Sequence, residues 1–260
     1  MNIITLTSDW GLKDHYLASV KGTIISQIPD AVIIDITHSI TAFDIISASF
    51  IIKNSFGSFP DGTIHIIGVN TEATLENAHI VAKYKNHYFI GTDNGIFSLI
   101  FSEPAEKIIE IDIFQDSDYF TFPSRDTFIK VAAHIIKEGE IDSLGHLRTT
   151  LNEKNFITPV VVNNIIKGNV LYIDRYENVI TNVPQDLFRK ETKGKKFSIN
   201  FRSSSYEIDR ICKSYNDVEQ GEKLALFSTT NFLEIAINQG KASSLLGLHP
   251  GDSINVFIEE

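Results

Sequence analysis

The first 68 residues alternate between short apolar runs and stretches of helical period, and this alternation constrains the fold more than any other feature. Residues 3–6 (I-I-T-L), 31–36 (A-V-I-I-D-I) and 63–68 (T-I-H-I-I-G) are apolar runs bounded by turn residues. That is the pattern of buried strands. Between them, residues 12–28 place Leu12, Tyr16, Val20, Ile24, Ile25 and Ile28 at helical spacing. Residues 43–56 do the same with Ile45, Ile46, Ala48, Ser49 and Ile52. Pro29-Asp30 stops the first helix, and 57–62 (G-S-F-P-D-G) turns the chain after the second. Strand, helix, strand, helix, strand predicts right-handed crossovers and an α/β layer with a mainly parallel sheet. The near-continuous apolar run at 31–36 predicts a strand covered on both faces.

Further along, 79–84 and 88–91 form an expected hairpin around Lys85-Asn86-His87. A tight turn at 92–95 leads into a helix at 96–102, then a strand at 107–113 and an amphipathic helix at 126–137. Residues 139–158 are polar and weakly periodic, with a linker assigned to 151–159. Beyond residue 160 the pattern becomes short alternating strands: 167–173, 179–183, 196–201, 206–211, 223–227, 232–237 and 253–258. That spacing predicts a small all-β barrel or sandwich. The expected organisation is therefore an α/β domain over 1–150 and a β domain over 160–260.

Asp and Glu outnumber Lys and Arg by 33 to 23, giving a net charge of −10. That argues against nucleic acid or an anionic membrane as partner. A single cysteine, Cys212, makes no intrachain disulfide and no metal cluster. Eight histidines occur without an H-x-x-x-H pair, so neither a metal nor another cofactor is expected. The amino terminus has no basic region or long apolar stretch, and the expected location is cytoplasmic.

Four polar groups can carry chemistry. The first is Asp9 at the end of the first strand, with Asp14 and Tyr16 opening the next element. Small ligands bind outside the carboxyl ends of strands in α/β sheets, where a carboxylate can accept two hydrogen bonds from a ribose diol. Asp9 can equally cap the following helix. The second group is the polar loop 70–78, also at a strand's carboxyl end. The third is 121–126 (T-F-P-S-R-D), where the helix start can hold an anion or Ser124 can serve as its cap. The fourth is 174–178 (D-R-Y-E-N), either a hairpin turn or an adenine reader through the Asn178 amide.

Eight stretches, in order, resemble the S-adenosylmethionine (SAM) hydroxide adenosyltransferase family, relatives of the fluorinase and chlorinase enzymes. They are T-S-D-W-G at 7–11, K-G at 21–22, D-I-T-H-S-I at 35–40, F-P-D-G-T-I-H at 59–65, D-N-G at 93–95, T-F-P-S-R-D at 121–126, I-D-R-Y-E-N-V-I-T-N at 173–182 and L-E-I-A-I-N-Q-G at 233–240. The resemblance spans nearly the whole chain. It implies a homotrimer, with SAM between the α/β domain of one subunit and the β domain of its neighbour. By position it assigns Asp9 to the ribose hydroxyls, Phe43 to packing on the ligand, Asp174 to the methionine ammonium, Tyr176 and Asn178 to adenine, and Ser228 to the methionine carboxylate.

The reaction zone departs from the family pattern. The family loop V-D-P-G-V-G-T-x-R-R is here Val69-Asn70 through Asn77-Ala78, so a family Asp falls on Asn70 and an Arg on Asn77. The family T-F-H-G-R-D is here T-F-P-S-R-D, which replaces a His by Pro123 and a Gly by Ser124. None of these replacements titrates near neutrality. Asn70, Asn77 and Ser124 are thus the candidates for the reacting end of the pocket. The resemblance implies hydrolysis of SAM to adenosine and L-methionine, at a reduced rate without the triad. Two alternatives stand beside it: a catalytically silent SAM or adenosine sensor, and transfer to another nucleophile such as halide. Fluorinase-like relatives carry Ser at the position of Ser124.

Overall fold

The computed structural model describes residues 1–113, 121–201 and 203–259. The chain divides into two compact units, Met1–Lys154 and Asn155–Glu260. Each has its own apolar core.

The N-terminal unit runs β1 (Asn2–Ser8), α1 (Tyr16–Gln27), β2 (Ala31–Thr37), α2 (Ile45–Ser55), β3 (Ile64–Gly68), β4 (His79–Tyr84), β5 (His87–Thr92), α3 (Ile96–Ile100), β6 (Lys107–Ile111), α4 (Pro123–Asp126), α5 (Phe128–Glu138) and β7 (Gly145–Arg148). Its sheet has the order β2-β1-β3-β5-β4-β6-β7. The pairs β1–β2, β1–β3 and β3–β5 are parallel. The pairs β4–β5, β4–β6 and β6–β7 are antiparallel. The sheet is therefore mixed, not mainly parallel. The cause is the β4–β5 hairpin: β5 joins β3 in parallel, and the tight turn at Lys85-Asn86 forces β4 to run the other way. Both turn residues adopt positive φ, as a two-residue hairpin turn requires.

Further expectations need correction. The 31–36 run forms β2 at the sheet edge, where Val32 and Ile34 remain 39% and 36% exposed. α1 starts at Tyr16, leaving Leu12 in the preceding turn. β7 lies inside the stretch read as featureless, because four residues of G-H-L-R are too few to show a period. α5 buries Phe128, Ile129, Val131, Ala132 and Ile135 on one face and ends at Gly139, which takes the left-handed φ of 78°.

The C-terminal unit contains β8 (Val160–Val162), β9 (Ile165–Ile173), β10 (Val179–Pro184), α6 (Gln185–Thr192), β11 (Phe197–Phe201), β12 (Ser203–Ile208), β13 (Lys223–Phe227), β14 (Phe232–Ile237), α7 (Ala242–Leu246) and β15 (Ser253–Ile258). Its antiparallel sheet has the order β12-β11-β15-β9-β10-β14-β13, with β8 beside β9. Just past β12, Ile211 bridges to Ala225 of β13, so the sheet curls to near closure. Among the described residues no helix is long and apolar enough to cross a membrane.

Candidate functional site

The parallel strands β1, β2 and β3 end in register, Thr7 opposite Thr37 and Ser8 opposite Gly68. Their carboxyl ends therefore open on one edge, the side on which α/β sheets bind ligands. Asp9 is the first residue past β1. It caps no helix: α1 begins at Tyr16, and its N-cap residue, His15, makes no side-chain capping bond. Instead the Asp9 Oδ2 accepts the Phe43 backbone N–H at 2.9 Å, and Oδ1 has no partner among the described residues. Phe43 holds a left-handed φ of 67° and is 71% exposed. An exposed aromatic residue in a strained conformation marks a candidate contact surface. Asp44 beside it caps α2 through the N–H groups of Ile46 and Ser47. Asp14 is exposed on the turn before α1.

Trp10 links this turn to two other predicted groups. Its indole lies on Gly68, where any Cβ would overlap the ring, and its edge meets Phe122 at 5.8 Å between centroids. Tyr16 meets the same Phe122 ring at 5.3 Å. The Arg125 guanidinium lies 5.1 Å from the Phe122 centroid and forms a two-pronged pair with Asp126. The 121–126 turn and the Asp9 turn are thus brought together by an aromatic wall. Ser124 is fully buried within α4, and among the described residues its Oγ caps nothing and has no hydrogen-bond partner.

The loop following β3 is held by its neighbours. Asn70 adopts a left-handed φ of 50°, which asparagine tolerates, and its side chain is exposed. The Asn94 amide donates to the carbonyl of Asn70 at 3.0 Å. Thr92 Oγ1 donates to the carbonyl of Thr71 at 2.9 Å, and His79 Nε2 approaches the same oxygen. Asn152 clasps the far end: its Nδ2 donates to the Glu76 carbonyl and to Asn77 Oδ1, and its N–H donates to the Asp93 carboxylate. Asp93 is fully buried, and burial raises its pKa against the lowering effect of Asn152 and Arg148. Asn77 therefore spends its side-chain oxygen on the clasp.

In the C-terminal unit the β9–β10 connection carries the fourth group. Asp174 organises the turn: Oδ1 accepts the N–H groups of Tyr176 and Asn178, and Oδ2 accepts the Asn178 amide at 3.0 Å. Asn178 is buried, while Tyr176 is exposed. The hairpin-turn reading and the ligand reading are compatible here, since a carboxylate retains further lone pairs. Asp174, Tyr176, Asn178, Tyr215, Asn238 and Lys241 line a pocket of about 1030 Å³. Behind it the Tyr215 hydroxyl donates to Glu234 at 2.7 Å. Burial raises the pKa of Glu234, and the charge of Asp174 adds to that. Ser228 bonds Thr230 at 2.9 Å, and its hydroxyl lowers the pKa of Glu234 against the effect of burial. Glu177 binds Lys241 and Ser244, which hold its pKa down at about 2.

Trp10, Phe122, Asn152, Tyr215 and Glu234 were not picked out as site residues from the sequence. The signal for Trp10 was available: it is the single tryptophan and sits directly after Asp9.

A carboxylate beside an aromatic wall at the strand ends of an α/β unit, and an amide-bearing pocket in a curled β unit, make this a two-domain protein with features suited to a polar small-molecule ligand. Family models for the N-terminal and C-terminal domains of SAM hydroxide adenosyltransferase match residues 4–145 and 168–255. The chain belongs to the SAM hydroxide adenosyltransferase family. It is 29% identical to an (R)-S-adenosyl-L-methionine hydrolase of Methanocaldococcus jannaschii, over 99% of this chain and 96% of that one. It is 22% identical to a fluorinase of Nocardia brasiliensis, over 98% and 97% of the two chains. A solved structure of a conserved protein from Thermotoga maritima superposes with a TM-score of 0.88 at 33% identity, covering 98% of this chain and 99% of that one.

Proposed function

We propose that this protein binds SAM and hydrolyses it to adenosine and L-methionine. The oxygen of a water molecule bonds to C5′ of the ribose, the C5′–S bond breaks with its electron pair staying on sulfur, and the surplus proton passes to solvent. The leaving group departs from a sulfonium as a neutral thioether, so orientation and desolvation of the water carry most of the work. The observation that supports this most directly is the Asp9 carboxylate, fixed through one oxygen by the Phe43 N–H beside the aromatic wall. Its other oxygen suits a ribose hydroxyl. Tyr176 and Asn178 suit adenine, Asp174 the methionine ammonium, and Ser228 the methionine carboxylate. The hydrolase relatives agree with the reading. The reaction needs no resident cofactor.

Asn70, Asn77 and Ser124 cannot act as general bases, and that loss typically costs about 10² to 10⁴ in rate. Asn77 is moreover engaged by Asn152. That engagement favours a second reading, a silent SAM sensor. The buried, unpartnered Oγ of Ser124 motivates a halide arm in the assay. The test is prolonged incubation with SAM in chloride and in chloride-free buffer, with products separated by mass. Adenosine from the parent, falling at least roughly tenfold in Asp9→Ala, is the expected outcome. A 5′-chloro product would favour the halogenase reading, and binding heat without product would favour the sensor. We further propose the homotrimer, which light scattering at three times the chain mass tests.

A further inference from the structure

His38 belongs to the D-I-T-H-S-I stretch and touches none of the atoms assigned to the ligand. It is the first residue past β2, 4% exposed, with Nδ1 2.7 Å from Ser8 Oγ at the end of β1. Its carbonyl accepts the Gly11 N–H at 2.9 Å. Its imidazole stacks on the Trp10 indole, 6.2 Å between centroids and 13° between planes. His38 thus grips both ends of the Ser8-Asp9-Trp10-Gly11 turn and supports its middle.

Ser8 Oγ accepts the Trp10 N–H, 3.5 Å from its nitrogen, and shares the 2.7 Å bond with His38 Nδ1, so one hydroxyl ties the imidazole to the turn. On the other side of the ring Nε2 faces Asp35 Oδ1 at 3.1 Å, off the line of a hydrogen bond. Asp35 Oδ2 is held by Lys21 of α1 at 2.6 Å. Burial pushes the Asp35 pKa up, but Lys21 and His38 together bring it below its ordinary value. Ser8 is fully buried, and its Oγ is engaged by Trp10 and His38. A buried polar chain of this kind adds little stability over apolar packing, yet it fixes geometry.

We propose that His38 is a positioning residue that sets the turn carrying Asp9 and Trp10, and through it the Asp9 carboxylate. The role in SAM binding rests on the function proposed above; the role in the turn does not. Trp10 is the single tryptophan, so acrylamide quenching of its fluorescence reads the order of the turn without any ligand. In His38→Leu, folded by its thermal melt, quenching rises and calorimetric SAM affinity falls roughly tenfold. His38→Asn, which keeps a polar atom near the Nδ1 position, restores both. In an Asp9→Ala background His38→Leu lowers affinity no further. Ser8→Ala, which cuts the same link from the other side, gives the same quenching change should His38→Leu not fold. Unchanged quenching in the folded variants overturns the proposal, as does a full additional loss of affinity in the Asp9→Ala background. If the parent binds no SAM while quenching still rises, the positioning role stands and the assigned ligand fails.

Discussion

Phe43, beside the strand ends, trades stability for a surface. Phe43 holds a left-handed φ with its ring in solvent, and a non-glycine residue there costs on the order of 1 kcal/mol or more. Phe43→Gly removes that strain and loses little packing. Allowing for the greater freedom of glycine in the unfolded chain, a gain of about 0.5–1 kcal/mol is expected in denaturant titration. SAM affinity moves the other way, by roughly tenfold, because the exposed ring is lost. A variant that gained stability and kept its affinity would show that the ring does not touch the ligand. Asp9 was legible from position alone, being polar, at a strand end and before a glycine. The feature that rules out a helix cap at Asp9 was not, because the bond to Phe43 N–H spans 34 positions of chain.

At the scale of elements, loops were legible as loops, but what holds them was not. The 70–78 segment reads as polar and featureless, yet Asn94, Thr92, His79 and Asn152 tie it at several points. The D-N-G stretch at 93–95 was visible as a motif; its partner Asn152, 59 positions from Asp93, was not. Asn152→Ala removes the side-chain bonds to the Glu76 carbonyl, to Asn77 and to the Asp93 carbonyl, while keeping the backbone N–H bond to the Asp93 carboxylate. A loss of about 1–2 kcal/mol is expected. Hydrogen exchange of 70–78 should quicken while that of β1 and β3 stays protected. Uniform acceleration across the unit would instead mean that the clasp belongs to the global core. The same locality explains the error over β2. Its apolar run was correct, but its place at the sheet edge depends on the order of distant strands. The short α6 carries a readable signal in Asp186 near its start and Arg189-Lys190 near its end, each matched to the helix dipole. Eight residues gave too little periodicity to weigh against the surrounding strands.

At the scale of the whole molecule, the two units are expected to differ in their response to mild acid. In the N-terminal unit His65 is buried, bonded to Thr5 at 2.7 Å and to His87 at 3.2 Å, and packed against Phe56, Phe59 and Phe89. Burial, reinforced by His87, lowers its pKa to about 3. Burial also lowers His79 and His87, the latter partly offset by Asp61. In the unfolded chain these groups gain protons below about pH 6.5, whereas folded His65 does not until about pH 3. The unfolded state therefore binds more protons across that window, and stability falls as pH falls, by about 1.4 kcal/mol per unit for one such group. Asp93, raised by burial, works in the other direction within the same unit, one group against three histidines. In the C-terminal unit Glu234 is raised, so its folded form takes up a proton before the unfolded one and stability grows as pH falls toward 4.5. Glu177, held down at about 2, is ionised in both states above 4.5 and contributes no slope there. Calorimetry between about pH 7 and pH 5 should thus lower the N-terminal transition by roughly 2 kcal/mol through His65 and leave the C-terminal one unchanged or raised. His65→Gln should flatten the acid slope of the first transition alone. A parallel fall of both transitions, or a slope indifferent to His65→Gln, would show that the surplus negative charge of the chain governs the response instead of this buried histidine cluster.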